Sequence, residues 1–289
     1  MIKGSIVAIV TPMHEDGSLD LAAFRALIDF HIGQGTDGIV VVGTTGESPT
    51  VNVEEHELLI AEAVKHAAKR IPVIAGTGAN STREAIELAA FAKNAGADAS
   101  LTVVPYYNKP TQEGMYQHFK TVAAATNKPI ILYNVPGRTG SNLLPATVIR
   151  LAADCKNIVG IKEASGNIVQ NMELLQNKPD NFTVLSGDDN LVLAQMAIGM
   201  EGIISVAANC FTKDITDIIN LVIVGKFDKA RKVHYKLLPG LDLLFADGNP
   251  PGVKYVLSRQ GLCLNTFRLP VVPVSDATAK KLDAFLKTI

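Results

Sequence analysis

Four stretches of the chain end in side chains that carry chemistry, and each follows a run rich in Val, Ile or Leu. Lys162 closes Ile158-Val159-Gly160-Ile161-Lys162. Side chains alternate along a strand, so Ile158, Gly160 and Lys162 fall on one face and Val159 and Ile161 on the other. With helices over the Val/Ile face, Lys162 points inward and Gly160 makes room beneath it. A lysine so placed loses hydration, which favours the neutral amine that a carbonyl substrate needs. The same spacing also fits a lysine that snorkels outward at a strand end.

Tyr133 obeys the same parity, with Ile131 on its face and Ile130 and Leu132 on the other. An inward phenol beside an amine can shuttle protons; a tyrosine that merely caps the core reads identically. Gly43-Thr44-Thr45-Gly46-Glu47 offers hydroxyls and free backbone N–H groups, a nest suited to a carboxylate, although such a turn is also simply a turn. The Gly-Lys-Ser/Thr ending of a phosphate loop is absent. Arg138, after Pro136-Gly137, matches a carboxylate in two-point contact or an ordinary surface ion pair. The six histidines (positions 14, 31, 56, 66, 118 and 234) form no close ligand pattern, so no metal is expected and a metal-dependent aldolase is disfavoured.

The elements that must position these residues alternate along the chain. Strands are expected at Ser5–Val10, Gly38–Val42, Pro72–Ala75, Ser100–Val104, Pro129–Asn134, Ile158–Lys162, Thr183–Ser186 and Gly202–Val206. Between them, Asn52 before Val53-Glu54-Glu55 reads as a helix N-cap, Ser81-Thr82-Arg83-Glu84 as a capping box, and Gly96 as a C-cap. Eight such units predict a parallel sheet closed into a (β/α)8 TIM barrel, with active groups at the C-terminal strand ends. The first strand lacks a GxGxxG turn, which disfavours a dinucleotide-binding fold. Helical patterns at Thr212–Val224, Phe227–Leu244, Gly252–Arg259 and Asp276–Lys287 predict a C-terminal helical extension over 211–289, packed with a barrel over 1–210.

The bulk properties fit. Of 289 residues, 47% are hydrophobic, enough for a large core, and the formal net charge of −1 provides no footprint for nucleic acid or an anionic membrane. No apolar run reaches the roughly 18 residues of a membrane span, and the short run at Ile6–Val10 reads as a first strand rather than a signal peptide. Cys155, Cys210 and Cys263 are odd in number and far apart, consistent with a cytoplasmic location and with small buried hydrophobes.

Taken together the motifs resemble the dihydrodipicolinate synthase family, within the pyruvate-dependent N-acetylneuraminate lyase superfamily. The resemblance covers essentially the whole chain. It is carried by Gly4–Pro12, Val42-Gly43-Thr44-Thr45-Gly46-Glu47-Ser48, Pro105-Tyr106-Tyr107-Asn108-Lys109-Pro110, Tyr133–Gly140, Gly160–Gly166 and Leu185-Ser186-Gly187-Asp188-Asp189. It implies a class I (Schiff-base) condensation of pyruvate with L-aspartate 4-semialdehyde to 4-hydroxy-tetrahydrodipicolinate, on the route to diaminopimelate and lysine, without a cofactor. By resemblance Lys162 forms the imine, and Thr45 and the backbone of Ile204 hold the pyruvate carboxylate. Tyr133, Thr44 and a neighbouring subunit's Tyr107 relay protons; Arg138 binds the semialdehyde carboxylate, and Gly187 joins the substrate-binding set. The resemblance also implies a homotetramer built as a dimer of dimers. An L-lysine effector site is implied at Ser48, His56, Asn80, Glu84 and Tyr106, with Pro49 and Val53 departing from lysine-sensitive versions, which carry alanine and histidine there. The competing readings are another pyruvate-dependent aldolase, such as an N-acetylneuraminate or keto-deoxy-sugar lyase, and a non-catalytic sensor of a small acid.

Overall fold

The computed structural model describes residues 2–289; Met1, the first residue of the expected 1–210 unit, lies outside the described residues. Strands β1 (Gly4–Ala8), β2 (Gly38–Val41), β3 (Val73–Gly76), β4 (Ala99–Val103), β5 (Ile130–Asn134), β6 (Ile158–Glu163), β7 (Thr183–Ser186) and β8 (Gly202–Ser205) run parallel, and β8 pairs with β1 to close the barrel. Around it lie α1 (Leu21–Gly33), α2 (Val53–Ala67), α3 (Thr82–Ala95), α4 (Gln112–Ala124), the single turn α5 (Pro136–Thr139), α6 (Pro145–Asp154), α7 (Ile168–Asn177) and α8 (Val192–Ala197). The extension follows as α9 (Thr212–Ile223), α10 (Phe227–Leu243), α11 (Pro251–Arg259) and α12 (Asp276–Leu286), matching the expected helices to within a residue or so at each end. Among the described residues no helix is long and apolar enough to cross a membrane.

Strands buried on both faces need apolar side chains pointing both ways, and the closed sheet sorts them accordingly. Ile6, Val40, Ile74, Leu101, Ile131, Tyr133, Leu185 and Ile204 share the cluster inside the barrel, whereas Ile130, Leu132, Ile161 and Val184 pack outward against helices. The parity expected for β5 holds. In β6 it holds only at one end, because the β5–β6 register slips between Ile130 and Ile131. Ile130 pairs with Ile158, but Ile131 pairs with Gly160, so Val159 is an extra residue. Ile158, expected inside beside Gly160 and Lys162, therefore joins Ile161 in the outer cluster. Val159, expected among the helices, lines a cavity at the N-terminal end of the strands with Ile131 and Leu185. Gly160 is required where it stands: a Cβ there would approach the Thr183 carbonyl oxygen to 2.6 Å.

Asn52 caps α2 with a complete capping box, accepting from Glu55 N at 2.8 Å while the Glu55 carboxylate accepts from Asn52 N. Gly96 closes α3 with φ 92°. The capping box expected at Ser81 does not form. Ser81 is the N-cap residue, but at φ −101° and ψ 122° its hydroxyl makes no cap bond, unlike Thr111 (−66°, 170°) and Ser275 (−62°, 155°). Cys155 and Cys210 are buried as expected; Cys263 is only partly so, packing at the edge of the core after α11.

Candidate active site

Tyr133 and Lys162 are direct partners across β5 and β6, and both are buried. Lys162 Nζ lies 4.5 Å from the centroid of the Tyr133 ring. The next residue on each strand faces the other way and locks the pair from behind: Asn134 Nδ2 donates to Glu163 Oε2 at 3.0 Å, and Glu163 Oε1 accepts from Ser165 N at 2.7 Å. Burial pushes the Glu163 carboxyl above the usual carboxylate range, against the pull of these hydrogen bonds. Asn134 is fully used, since it also donates to Asn142 Oδ1 and accepts from Leu143 N. Gly187, just past β7, keeps the lysine's path open, because a Cβ there would stand 3.0 Å from Lys162 Cε and 2.6 Å from Ala164 Cβ.

The adjoining loops are held in conformations that most side chains avoid. Val42 (φ 53°), Glu47 (φ 60°), Tyr107 (φ 70°) and Lys109 (φ 43°) occupy the left-handed region, all in the loops after β2 and β4. Such residues persist only where surrounding contacts over-determine them, as they do at binding sites. Thr45 is buried and its Oγ1 accepts from Asn249 Nδ2 at 3.1 Å. The hydroxyl hydrogen is thus left to donate elsewhere. After β7, Asp189 accepts from Ser205 Oγ and from the backbone N–H groups of Val206 (3.0 Å) and Ala207 (3.1 Å), tying that loop to the end of β8. Burial raises the carboxyl pKa of both Asp188 and Asp189.

A cavity of about 490 Å³ opens at the C-terminal end of the strands. Thr44, Tyr133 and Arg138 line it, and so do Ser48, His56, Glu84 and Tyr106, together with Pro49 and Val53. Two groups of sequence-derived candidates thereby share one wall. Lys162, Thr45, Ile204 and Gly187 are not on that wall: Lys162 lies beneath, against Tyr133, and Ile204 is wholly buried in the barrel. Arg138 is exposed and makes no ion pair among the described residues, so the surface-pair reading does not describe it. His56 is buried, with Nε2 2.7 Å from the Gly76 carbonyl oxygen, and burial lowers its pKa. Burial, and then the Glu84 charge, raise the pKa of Tyr106. Asn80 is outside the lining, its carbonyl accepting from Asn108 Nδ2 at 2.9 Å. Tyr107 is 89% exposed and reaches none of the others. The larger cavity, about 790 Å³ at the opposite end of the strands, holds none of the candidates. Barrel enzymes build their sites at the C-terminal end, so the smaller cavity is the candidate site.

Sequence reasoning overlooked three contributors. Asn249 and Lys254 come from the extension, more than 200 residues from their partners Thr45 and Glu47. Glu163 was seen only as the residue after the lysine. Lys254 left one trace: it follows Val253 and precedes Leu257 by three positions, on what is otherwise an apolar stripe of α11.

A (β/α)8 barrel that brings a buried amine against a phenol at the C-terminal ends of adjacent strands has its polar groups where barrel enzymes carry out their chemistry. Within that class the chain belongs to the Dihydrodipicolinate synthetase family, whose pattern matches residues 1–289. It is 57% identical over 275 residues to 4-hydroxy-tetrahydrodipicolinate synthase of Nitrosospira multiformis, covering 95% of this chain and 91% of that one. It superposes on dihydrodipicolinate synthase from Acinetobacter baumannii complexed with pyruvate with a TM-score of 0.97 and 47% identity, covering 100% and 99% of the two chains. The enzyme from Cyanidioschyzon merolae with lysine bound matches at a TM-score of 0.97 and 36% identity, covering 99% and 98%.

Proposed function

We propose that this protein condenses pyruvate with L-aspartate 4-semialdehyde to 4-hydroxy-tetrahydrodipicolinate through an imine on Lys162. The observation that carries the reading is the buried Lys162 amine against the Tyr133 ring in a member of this family. Lys162 Nζ attacks the pyruvate keto carbon, and the carbinolamine loses water to give the imine. Loss of a methyl proton gives the enamine, whose carbon bonds to the aldehyde carbon while the aldehyde oxygen takes up a proton. The amine of the second substrate then attacks the imine carbon and displaces Lys162. Tyr133, Thr44 and a neighbouring subunit's Tyr107 carry the protons. Thr45, the backbone of Ile204 and the space kept by Gly187 accommodate pyruvate, and Arg138 takes the second carboxylate. The test is turnover: product should form from pyruvate and aspartate semialdehyde. Cleavage of N-acetylneuraminate in its place would assign the chain to the sugar-acid lyases.

This reading includes a homotetramer acting in the cytoplasm, with barrel (1–210) and extension (211–289) as one unit. The 89% exposed, backbone-strained Tyr107 supports self-association, because a phenol held at that cost toward solvent needs something to meet.

Arg138→Ala should raise KM for the semialdehyde far more than for pyruvate. Losing a charged hydrogen-bond partner typically costs about 1.5–3 kcal/mol, roughly ten- to hundredfold in affinity. A defect confined to pyruvate would mean that the two carboxylate sites are exchanged.

L-Lysine is proposed as a partial inhibitor. Ser48, His56, Glu84 and Tyr106 line the same cavity as Thr44 and Tyr133, and Glu84 supplies an anion for an ammonium. Val53 on the same wall offers no polar contact, so binding should be weaker than in relatives with a histidine there. Coupling to turnover requires that lysine prefer one of two states of the site. Titration calorimetry and initial rates across a wide lysine range decide it, and absence of both heat and rate change would remove the effector site.

A further inference from the structure

We propose that the buried ion pair between Lys254 of α11 and Glu47 of the β2 loop is a positioning device that sets the Thr44–Thr45 turn for the substrate carboxylate. The inference rests on the assignment of that turn to pyruvate. Lys254 is 0% and Glu47 2% exposed, and Lys254 Nζ lies 2.7 Å from Glu47 Oε1. The ammonium is fixed from further sides by the Thr266 carbonyl oxygen at 2.6 Å and by the Phe267 ring, whose centroid is 4.8 Å away.

Taking both charges out of water is costly, and apolar residues of similar volume often serve stability as well or better. What the pair does hold is a backbone. Glu47 stands in the left-handed region (φ 60°, ψ 33°), its N–H donates to the Thr44 carbonyl at 3.1 Å, and Ser48 N donates to the Gly43 carbonyl at 3.3 Å. These bonds close the turn that carries Thr44 and Thr45. Thr11 Oγ1 secures it from the barrel side, donating to the Gly46 carbonyl at 2.7 Å. Asn249, five residues before Lys254, holds the Thr45 hydroxyl from the same segment at 3.1 Å. Without the ammonium, Glu47 loses the one hydrogen-bond partner of its carboxylate among the described residues. Its strained backbone is then free to relax and to carry the two threonine hydroxyls with it.

The test measures both substrates on Lys254→Met and on the double variant Lys254→Met/Glu47→Gln, with the wild type alongside. The double variant is included because the single one leaves a buried carboxylate unpaired and can fail to fold. The folded double variant, checked by circular dichroism and melting temperature, should show a pyruvate KM raised about tenfold or more, with the semialdehyde KM within about twofold of wild type. The pyruvate concentration for half-maximal borohydride trapping should rise in step, with the adduct still on Lys162. A double variant with wild-type pyruvate KM, or one in which both KM values rise equally, overturns the positioning role while leaving the reaction standing. Wild-type protein that traps no pyruvate on Lys162 overturns the reaction and the inference with it.

Discussion

Lys162→Ala is expected to abolish borohydride-trappable pyruvate and nearly all turnover. Among the described residues only two lysines are buried, Lys162 and Lys254. Lys254 is held by Glu47 and Thr266, and an ammonium with fixed acceptors is no nucleophile. Lys162 forms no ion pair among the described residues; it lies against the face of Tyr133 and the gap left by Gly187, with the Asp188 and Asp189 carboxylates acting on it only from further off. A buried primary amine that is not locked in an ion pair is the one that can reach a carbonyl carbon. The covalent route ends when that amine is removed, since no neighbouring side chain in the site can replace it. Mass spectrometry after reduction with pyruvate reads the result directly: a modified wild-type Lys162 and an unmodified variant. A reduced adduct on any other lysine would sink the assignment.

Tyr133→Phe should lower kcat by about 10²–10⁴, the usual worth of a positioned acid–base group, while slow imine formation persists. The substitution is clean because the ring, not the hydroxyl, packs over Lys162, and the residue lies in the inner apolar cluster where phenylalanine is at home. Only proton movement is impaired. Rapid-quench trapping with borohydride separates imine formation from turnover, and a variant with wild-type kcat would count against the relay.

Much of this architecture could be read from the chain, and the failures have physical causes. Every strand lies within two residues of its expected bounds, because short Val/Ile runs bounded by Gly and Pro are a strong local signal. Parity placed Tyr133 and Lys162 inside but misplaced Ile158, since a bulge adds a residue without leaving a mark in the side-chain pattern. Ser81 and Asn52 both begin plausible capping boxes; only backbone geometry, which composition does not encode, separates them. The candidate wall joined two residue sets that sequence reasoning had kept apart, Thr44, Tyr133 and Arg138 with Ser48, His56 and Glu84. Contacts such as Asn249 to Thr45 were out of reach, because neither residue carries a local sign of the other.

Those long-range contacts bear on the order in which the protein becomes competent during its own synthesis. The eight strands, with Lys162 and Tyr133 in register, are all made by Ser205. The groups that grip the β2 loop come later: Asn249 reaches back 204 residues, Lys254 207 and Arg268 218. A chain made only as far as Ser205 therefore has Thr11 to secure this turn from the barrel side but none of the groups that hold it from the extension. The turn proposed for pyruvate is thus completed only when the extension has docked.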